Sequence, residues 1–222
     1  MPGRRKSESR QEAEVKFILA ARELIETGGI ANASVRNIAS RTEYHNSTIY
    51  AYFEDVDYLL SLACIPFLSE YSQRLEELSR SDLSTYDGFF AVWRYFCRYA
   101  FQQPEVFHHF YFGKYANRLT ELLDHYFTLF PEEQAIYSQS LSGLYYMEMF
   151  YGNSIEERSL CVLRPLIDDP KTRLTENNLA LVNQMTIFIF RNLLEDRLNT
   201  PDSDGEDLVQ SFLQCLHYLV DQ

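Results

Sequence analysis

The sequence predicts an all-α fold, and three observations carry that reading. Apolar residues recur at 3.6-residue spacing almost from end to end. Good N-caps and Gly or Pro breaks punctuate the pattern at helical lengths. No run shows the two-residue period of a strand. The chain has 222 residues, 46% of them hydrophobic, which suffices for one or two domains with a sizeable core.

The elements follow in order. Residues 12–27 place Phe17, Ile18, Ala21, Leu24 and Ile25 on one face and stop at Gly28-Gly29, a typical helix C-terminus. A short helix starts at the N-cap Ser34 and buries Val35, Ile38 and Ala39. After a break at 42–44, a third helix runs from about His45 to Ala51, with Ile49 and Phe53 facing inward. The fourth opens near Asp55, where Glu54, Asp55 and Asp57 suit the positive end of the helix dipole. Pro66 sits inside it and is expected to kink it, either as a hinge or as a static bend. Residues 84–102 form an amphipathic helix, 104–130 one or two more, and Pro131 opens another at its N1 position. The stretch 152–176, with Gly152, Pro165 and Pro170, reads as a connection holding at most a short helix. Helices over 176–198 and 206–221 close the chain, the second with a capping box from Ser203 and Glu206.

Composition narrows the function. No run approaches the roughly 20 apolar residues of a membrane span, so no membrane partner is expected. Cys64, Cys97, Cys161 and Cys215 are scattered without a close pair, which argues against disulfides and zinc and suits the cytoplasm. The basic N-terminus lacks an apolar stretch behind it, unlike a signal peptide. No HExxH, Gly-rich phosphate loop or GxSxG is present, so neither an enzyme nor a cofactor is expected. His108 and His109 are neighbours that cannot share a helix face, a poor start for a metal site. The net charge of −12 is uneven: residues 1–60 carry −1 and residues 61–222 carry −11. The first sixty residues are therefore compatible with a nucleic-acid partner.

Two short helices joined by a three-residue break match the helix-turn-helix plan, in which the second helix enters the major groove of double-stranded DNA. Ile49 and Phe53 would hold that helix down. Asn46, Ser47 and Thr48 offer short donors and acceptors suited to base edges. Spacing alone also fits a polar surface helix packed by aromatic rings.

Residues 18–62 go further. The AA…LI…GG stretch, the SVRNIAS helix and STIYAYF, followed by an acidic residue and a Leu-Leu pair, resemble the N-terminal domain of the TetR family of bacterial transcription regulators. The resemblance implies a three-helix helix-turn-helix DNA-binding domain at 11–70, motif about 34–53, and a helical ligand-binding and dimerisation domain at 71–222. It implies a ligand-responsive regulator, in the family's usual mode a repressor, acting as a homodimer on a near-palindromic operator and released by a small molecule. Ser34 and Arg36 would lie at phosphates; Tyr44, His45, Asn46, Ser47 and Thr48 would enter the groove; Tyr50 and Tyr52 would reach the backbone. Two positions depart from the family pattern. Glu43 stands where glycine is usual, and Val56 where a phosphate-binding Lys is usual. With that Lys gone and 54–57 acidic, binding should show a shallow salt dependence. The same features favour an alternative: a helical ligand-binding or protein-docking module with weak or lost DNA binding. Arg4, Arg5, Lys6 and Arg10 form either an arm that reaches DNA or a disordered solubilising tail.

The later part is rich in rings. Phe89, Trp93, Phe96, Phe107, Phe110, Tyr111, Tyr145 and Met149 are candidates to line a site for a small-molecule effector, either apolar or a cationic aromatic; the alternative is plain core. The final two helices are too apolar for a monomer surface, and Leu179, Val182, Ile189, Leu193, Leu208, Phe212, Leu216 and Leu219 are expected at a two-fold interface.

Overall fold

The computed structural model describes residues 2–134, 149 and 151–222, with side chains from Arg10 onward. Helix α1 (Pro2–Gly28) starts ten residues before the predicted boundary. No glycine or proline interrupts residues 4–27, and Arg10–Glu14 and Arg22–Glu26 add favourable i,i+4 pairs. The backbone of the N-terminal basic segment is helical, in place of the expected disordered tail. The helix ends at Gly29, whose φ of 75° lies in the left-handed region that glycine adopts freely. A Cβ at this position would also collide with the Glu105 carboxylate. That carboxylate accepts from the Ile30 N–H at 2.8 Å.

Next come α2 (Val35–Ser40), a 3₁₀ helix over Asn46–Ala51, α3 (Val56–Cys64) and α4 (Ser69–Ser79). The kink expected at Pro66 takes the form of a 3₁₀ turn, Ile65–Leu68, joining α3 to α4. Proline has no N–H for the α-helical ladder, and the tighter turn accommodates the loss. The remaining helices are α5 (Thr85–Gln102), α6 (Pro104–Phe112), α7 (Leu119–Leu129), α8 (Ile155–Leu163), α9 (Leu179–Asn199) and α10 (Gly205–Val220). Ser84 and Ser154 cap α5 and α8 through the Asp87 and Glu157 amides. The cap of α10 differs from expectation. Asp204, not Ser203, accepts from the Glu206 N–H at 2.8 Å. The Glu206 carboxylate is drawn instead to Arg98 on α5, with both contacts at 3.0 Å. Among the described residues the β pairing is confined to one isolated bridge, Thr172 with Asp221.

α1 packs along α3, and α3 in turn packs on α6 and α7. Further along, α9 is gripped by α6, α8 and α10, while α5 lies between α4 and α10. Rings fix this second group. Trp93 lies 5.0 Å from Phe212, and Phe96 lies 5.0 Å from Phe190. This packing corrects half of the expected interface. Leu179, Val182, Phe212 and Leu216 are buried in the chain's own core, and Ile189, Leu193, Leu208 and Leu219 pack partly buried against it. The apolar face that α9 leaves in solvent consists of Leu181, Met185 and Phe188, exposed by 58, 40 and 62%. Its 4-3 spacing makes a single stripe. No helix of the described residues is long and apolar enough to cross a membrane.

Candidate functional site

The segment 43–53 owes its shape to what lies beneath it. Ile49 and Phe53 are buried, and Phe53 meets the Phe17 ring edge-on at 6.2 Å. Tyr44 and Tyr52 are half-buried with rings 5.1 and 6.0 Å from Phe17. Arg10 and Lys16 cover the outer sides of those two rings. Tyr44 therefore serves mainly as packing against α1, which corrects the expectation that its ring enters the groove. Ser34 caps α2 by accepting from the Asn37 amide at 3.3 Å. His45 opens the next segment; its Nδ1 accepts from the Ser47 N–H and lies 3.1 Å from Ser47 Oγ.

That segment is 3₁₀ rather than the expected α-helix. It is only six residues long, and Asn46, Ser47 and the β-branched Thr48 and Ile49 are weak α-formers. Ser34, Arg36, His45, Asn46, Ser47 and Tyr50 are exposed together, with Thr48 half-buried beside them. Glu43 meets the turn without strain: among the described residues, no non-glycine residue has a positive φ. The glycine-like backbone expected there is not required.

The charge distribution explains the acidic stretch. Arg118 grips the Glu54 carboxylate with both ends of its guanidinium, at 3.0 and 2.6 Å. Asp55 caps α3 by accepting from the Tyr58 N–H at 2.9 Å, and also receives Lys114 and the Tyr115 hydroxyl. Arg118 holds the Glu54 carboxyl below its ordinary range. Burial pushes Asp55 up, but the Lys114, Tyr58 and Tyr115 hydrogen bonds together leave it lowered. Residues 54 and 55 thus face the 113–118 loop between α6 and α7 instead of repelling a polyanion.

Two histidines reinforce the contact. His109 reaches Ser61 Oγ at 3.2 Å, and His125 reaches the Tyr58 hydroxyl at 3.1 Å. The loop is tied onward to the start of α8: the Leu119 amide donates to Asn153 O, and Thr120 Oγ1 to Tyr151 O.

Asp55→Ala is expected to cost about 1–2 kcal/mol, the usual effect of a lost cap, in urea unfolding. Both carboxyls have folded pKa values below their unfolded ones. Their contribution is therefore present above about pH 4 and lost as pH falls through the lowered values. The penalty of Asp55→Ala should accordingly shrink below about pH 4; an undiminished penalty there would contradict the ionic part of this account.

Behind that loop, among α4, α5, α6 and α8, lies a cavity of about 40 Å³. Trp93, Phe96, Tyr111 and Met149 line it, together with Arg158 and Ser159, which sequence reasoning missed. The other ring residues expected there do not line it: Phe89, Phe107 and Phe110 are buried in the core, the last two packed behind the lining rings Phe96 and Tyr111. Tyr145 lies outside the described residues. A polar residue such as Arg158 inside an apolar helical face was the available signal.

The model of the bacterial regulatory proteins of the tetR family matches residues 17–61. Residues 17–61 thus carry a TetR-type N-terminal domain. The match runs from the middle of α1 through most of α3 and includes the exposed polar row. TetR-family proteins are DNA-binding transcription regulators rather than enzymes, and the fold agrees along the whole chain. The crystal structure of RolR in complex with the ligand resorcinol superposes with a TM-score of 0.62, covering 96% of this chain and 90% of that one at 16% identity. At that identity the likeness concerns the fold alone. No curated protein sequence matches the chain. The 3₁₀ segment 46–51 lies within the matched range.

Proposed function

We propose that this TetR-family regulator is a cytoplasmic repressor. It binds a near-palindromic operator as a homodimer and is released when a small molecule enters the cavity behind Trp93. Residues 11–70 form the DNA-reading unit and 71–222 the effector-binding and dimerising one. One observation carries the reading: the cavity wall is linked through α6 and its following loop to Glu54 and Asp55, which come just after the reading segment in the chain. From the cavity, Tyr111 leads through α6 to Lys114, Tyr115 and Arg118, and these hold Glu54 and Asp55. A ligand that shifts Tyr111 would move the loop and with it the angle of 46–51. RolR was crystallised with resorcinol; a ring of that size would enter a cavity of about 40 Å³ only by displacing part of its wall.

Asn46, Ser47, Thr48 and His45 read bases, while Ser34, Arg36, Tyr50 and the hydroxyls of Tyr44 and Tyr52 touch the backbone. Asn46→Ala is expected to lose roughly 1–3 kcal/mol of discrimination at one base pair.

An uncompensated acidic flank would favour the alternative of lost DNA binding. That argument weakens when Glu54 and Asp55 are matched by Arg118 and Lys114 within the chain. Other cations of this face are also engaged: Arg41 pairs with Glu23, Arg10 with Glu14, and Lys16 lies 3.9 Å from Glu43. The salt slope of operator binding should therefore fall well short of about −10 for the dimer.

Selection of genomic fragments on the purified protein tests the reading. A single enriched near-palindrome, with half-sites roughly 34–36 Å apart, is expected. Enrichment of nothing would leave the docking-module alternative standing.

A further inference from the structure

We propose that the cavity binds neutral one-ring aromatic compounds through a carbonyl oxygen, an assignment that deepens, and rests on, its reading as the effector site. Two buried side chains of the wall hold polar atoms without a partner among the described residues. Trp93 is 3% exposed, and its Nε1–H, which can only donate, meets no acceptor among them. Ser159 is 4% exposed, and its hydroxyl is likewise unpartnered among them. A buried donor without an acceptor is destabilising. Two such donors in one wall make a place where an acceptor brought from outside the chain is held.

The other polar side chains of the wall are engaged. Ser72 Oγ donates to Leu68 O at 3.0 Å. Tyr71 packs edge-on against Phe96 at 5.2 Å. Arg158 donates to Gly152 O at 2.9 Å and to the Tyr111 hydroxyl at 3.4 Å, with its guanidinium 5.7 Å from the Tyr111 ring. A neutral ligand leaves these contacts in place, whereas an ionised one must lose its hydration or draw Arg158 away from them. Among the described residues no carboxylate lines the cavity, so the cationic aromatic expected from composition finds no counter-ion among them.

The number of protons selects the oxygen. Trp93 and Ser159 each have one to give. A carbonyl oxygen has two lone pairs and no proton, so a single atom can accept both. A phenol oxygen can accept from Trp93 but brings a proton of its own; when Ser159 Oγ takes that proton, the Ser159 proton still lacks an acceptor. Trp93, Phe96 and Tyr111 suit a flat apolar body behind the oxygen. Size limits the ligand to one ring. A dry cavity that takes benzene is on the order of 150 Å³, and this one is about 40 Å³. Binding must displace part of the wall, and Met149, unbranched and flexible, is the side chain best able to yield.

Acetophenone and α-methylstyrene test the assignment, since the second replaces the carbonyl oxygen by a methylene group and keeps the shape. Calorimetry on the full-length protein should show acetophenone binding at least about tenfold more tightly than α-methylstyrene, phenol or benzoate. Trp93 is the single tryptophan of the chain, so one indole N–H resonance reports it without a substitution in the core. Acetophenone should move that resonance downfield relative to α-methylstyrene, whose similar ring serves as the control for ring currents. Ser159→Ala breaks no hydrogen bond of the Ser159 hydroxyl among the described residues. It should weaken acetophenone about tenfold, leave α-methylstyrene unchanged and keep the thermal midpoint.

The proposal is overturned if acetophenone does not bind saturably, if α-methylstyrene, phenol or benzoate matches it, or if the indole resonance does not distinguish the isosteres. An unaltered acetophenone affinity in Ser159→Ala would overturn it as well. Retention of selected DNA is measured beside the titrations. Acetophenone that binds as expected without releasing DNA would refute the effector role and leave the carbonyl site intact. Equal release by α-methylstyrene would keep the effector role and overturn the carbonyl assignment.

Discussion

Phe188→Glu is expected to give a folded monomer that has lost operator binding. Phe188 is 62% exposed in the single chain and flanked by Leu181 and Met185 on the same stripe of α9. Substitution of so exposed a residue should change the stability of the monomer by no more than about 0.5 kcal/mol. In a two-fold pair the same stripe meets its own copy, so each interface would acquire two carboxylates in an apolar setting. Burying an unpaired charge there costs several kcal/mol per ion, more than the association can return. Two half-sites held by one dimer gain affinity from being linked, and a monomer forfeits on the order of a hundredfold or more. Light scattering at micromolar concentration gives the mass, and retention of the selected DNA gives the affinity. A Phe188→Glu variant that kept the mass of a dimer would move the interface elsewhere. A wild-type monomer would end the homodimer proposal outright.

Ile49→Ala should be the most damaging change near the DNA-reading segment. Its side chain is fully buried, as are the nearby Ile38 and Phe17. Truncating a buried Ile to Ala costs about 2–5 kcal/mol through lost transfer energy and the cavity left behind. The 3₁₀ segment has little else beneath it: Ile49 and Phe53 are its inward anchors, and its neighbours His45, Asn46 and Ser47 are exposed. Urea unfolding should show the full loss, and DNA retention should fall with it. Ile49→Val, at about 0.5–1.5 kcal/mol, should leave most binding intact. If Ile49→Ala kept wild-type stability, the burial beneath the reading segment described here would be wrong.

Local chemistry made much of this protein readable from its residues. Caps at Ser34 and Asp55, the double-glycine stop and the 3.6-residue spacing act within a few positions, and the helices begin and end close to where those signals stand. The row Asn46-Ser47-Thr48 with Ile49 inward was equally plain, because a side chain's direction on a short helix follows from its register. Pro66 announced an interruption, though whether it would be a bend or a 3₁₀ turn depended on its neighbours.

Long-range choices were not legible. Glu54 and Asp55 looked like a penalty for DNA binding until Lys114, Tyr115 and Arg118, from the far side of α6, were found on them. Helix α9 is apolar on more than one side, and no local rule says which side the chain keeps for itself. Packing against α6, α8 and α10 took Leu179, Val182 and Phe190 inward and left Leu181, Met185 and Phe188 in solvent. The same holds for the cavity: rings were abundant in the sequence, but only the approach of α8 to α5 and α6 set Arg158 and Ser159 beside Trp93. The sequence by itself determined most of the helices, several of their caps and the exposed polar row at 45–48, since these depend on neighbours within about one turn. Tertiary structure decided which side of α9 stays in solvent, the charge contacts and the lining of the cavity, since burial and pairing are properties of surfaces that meet only once the chain has folded.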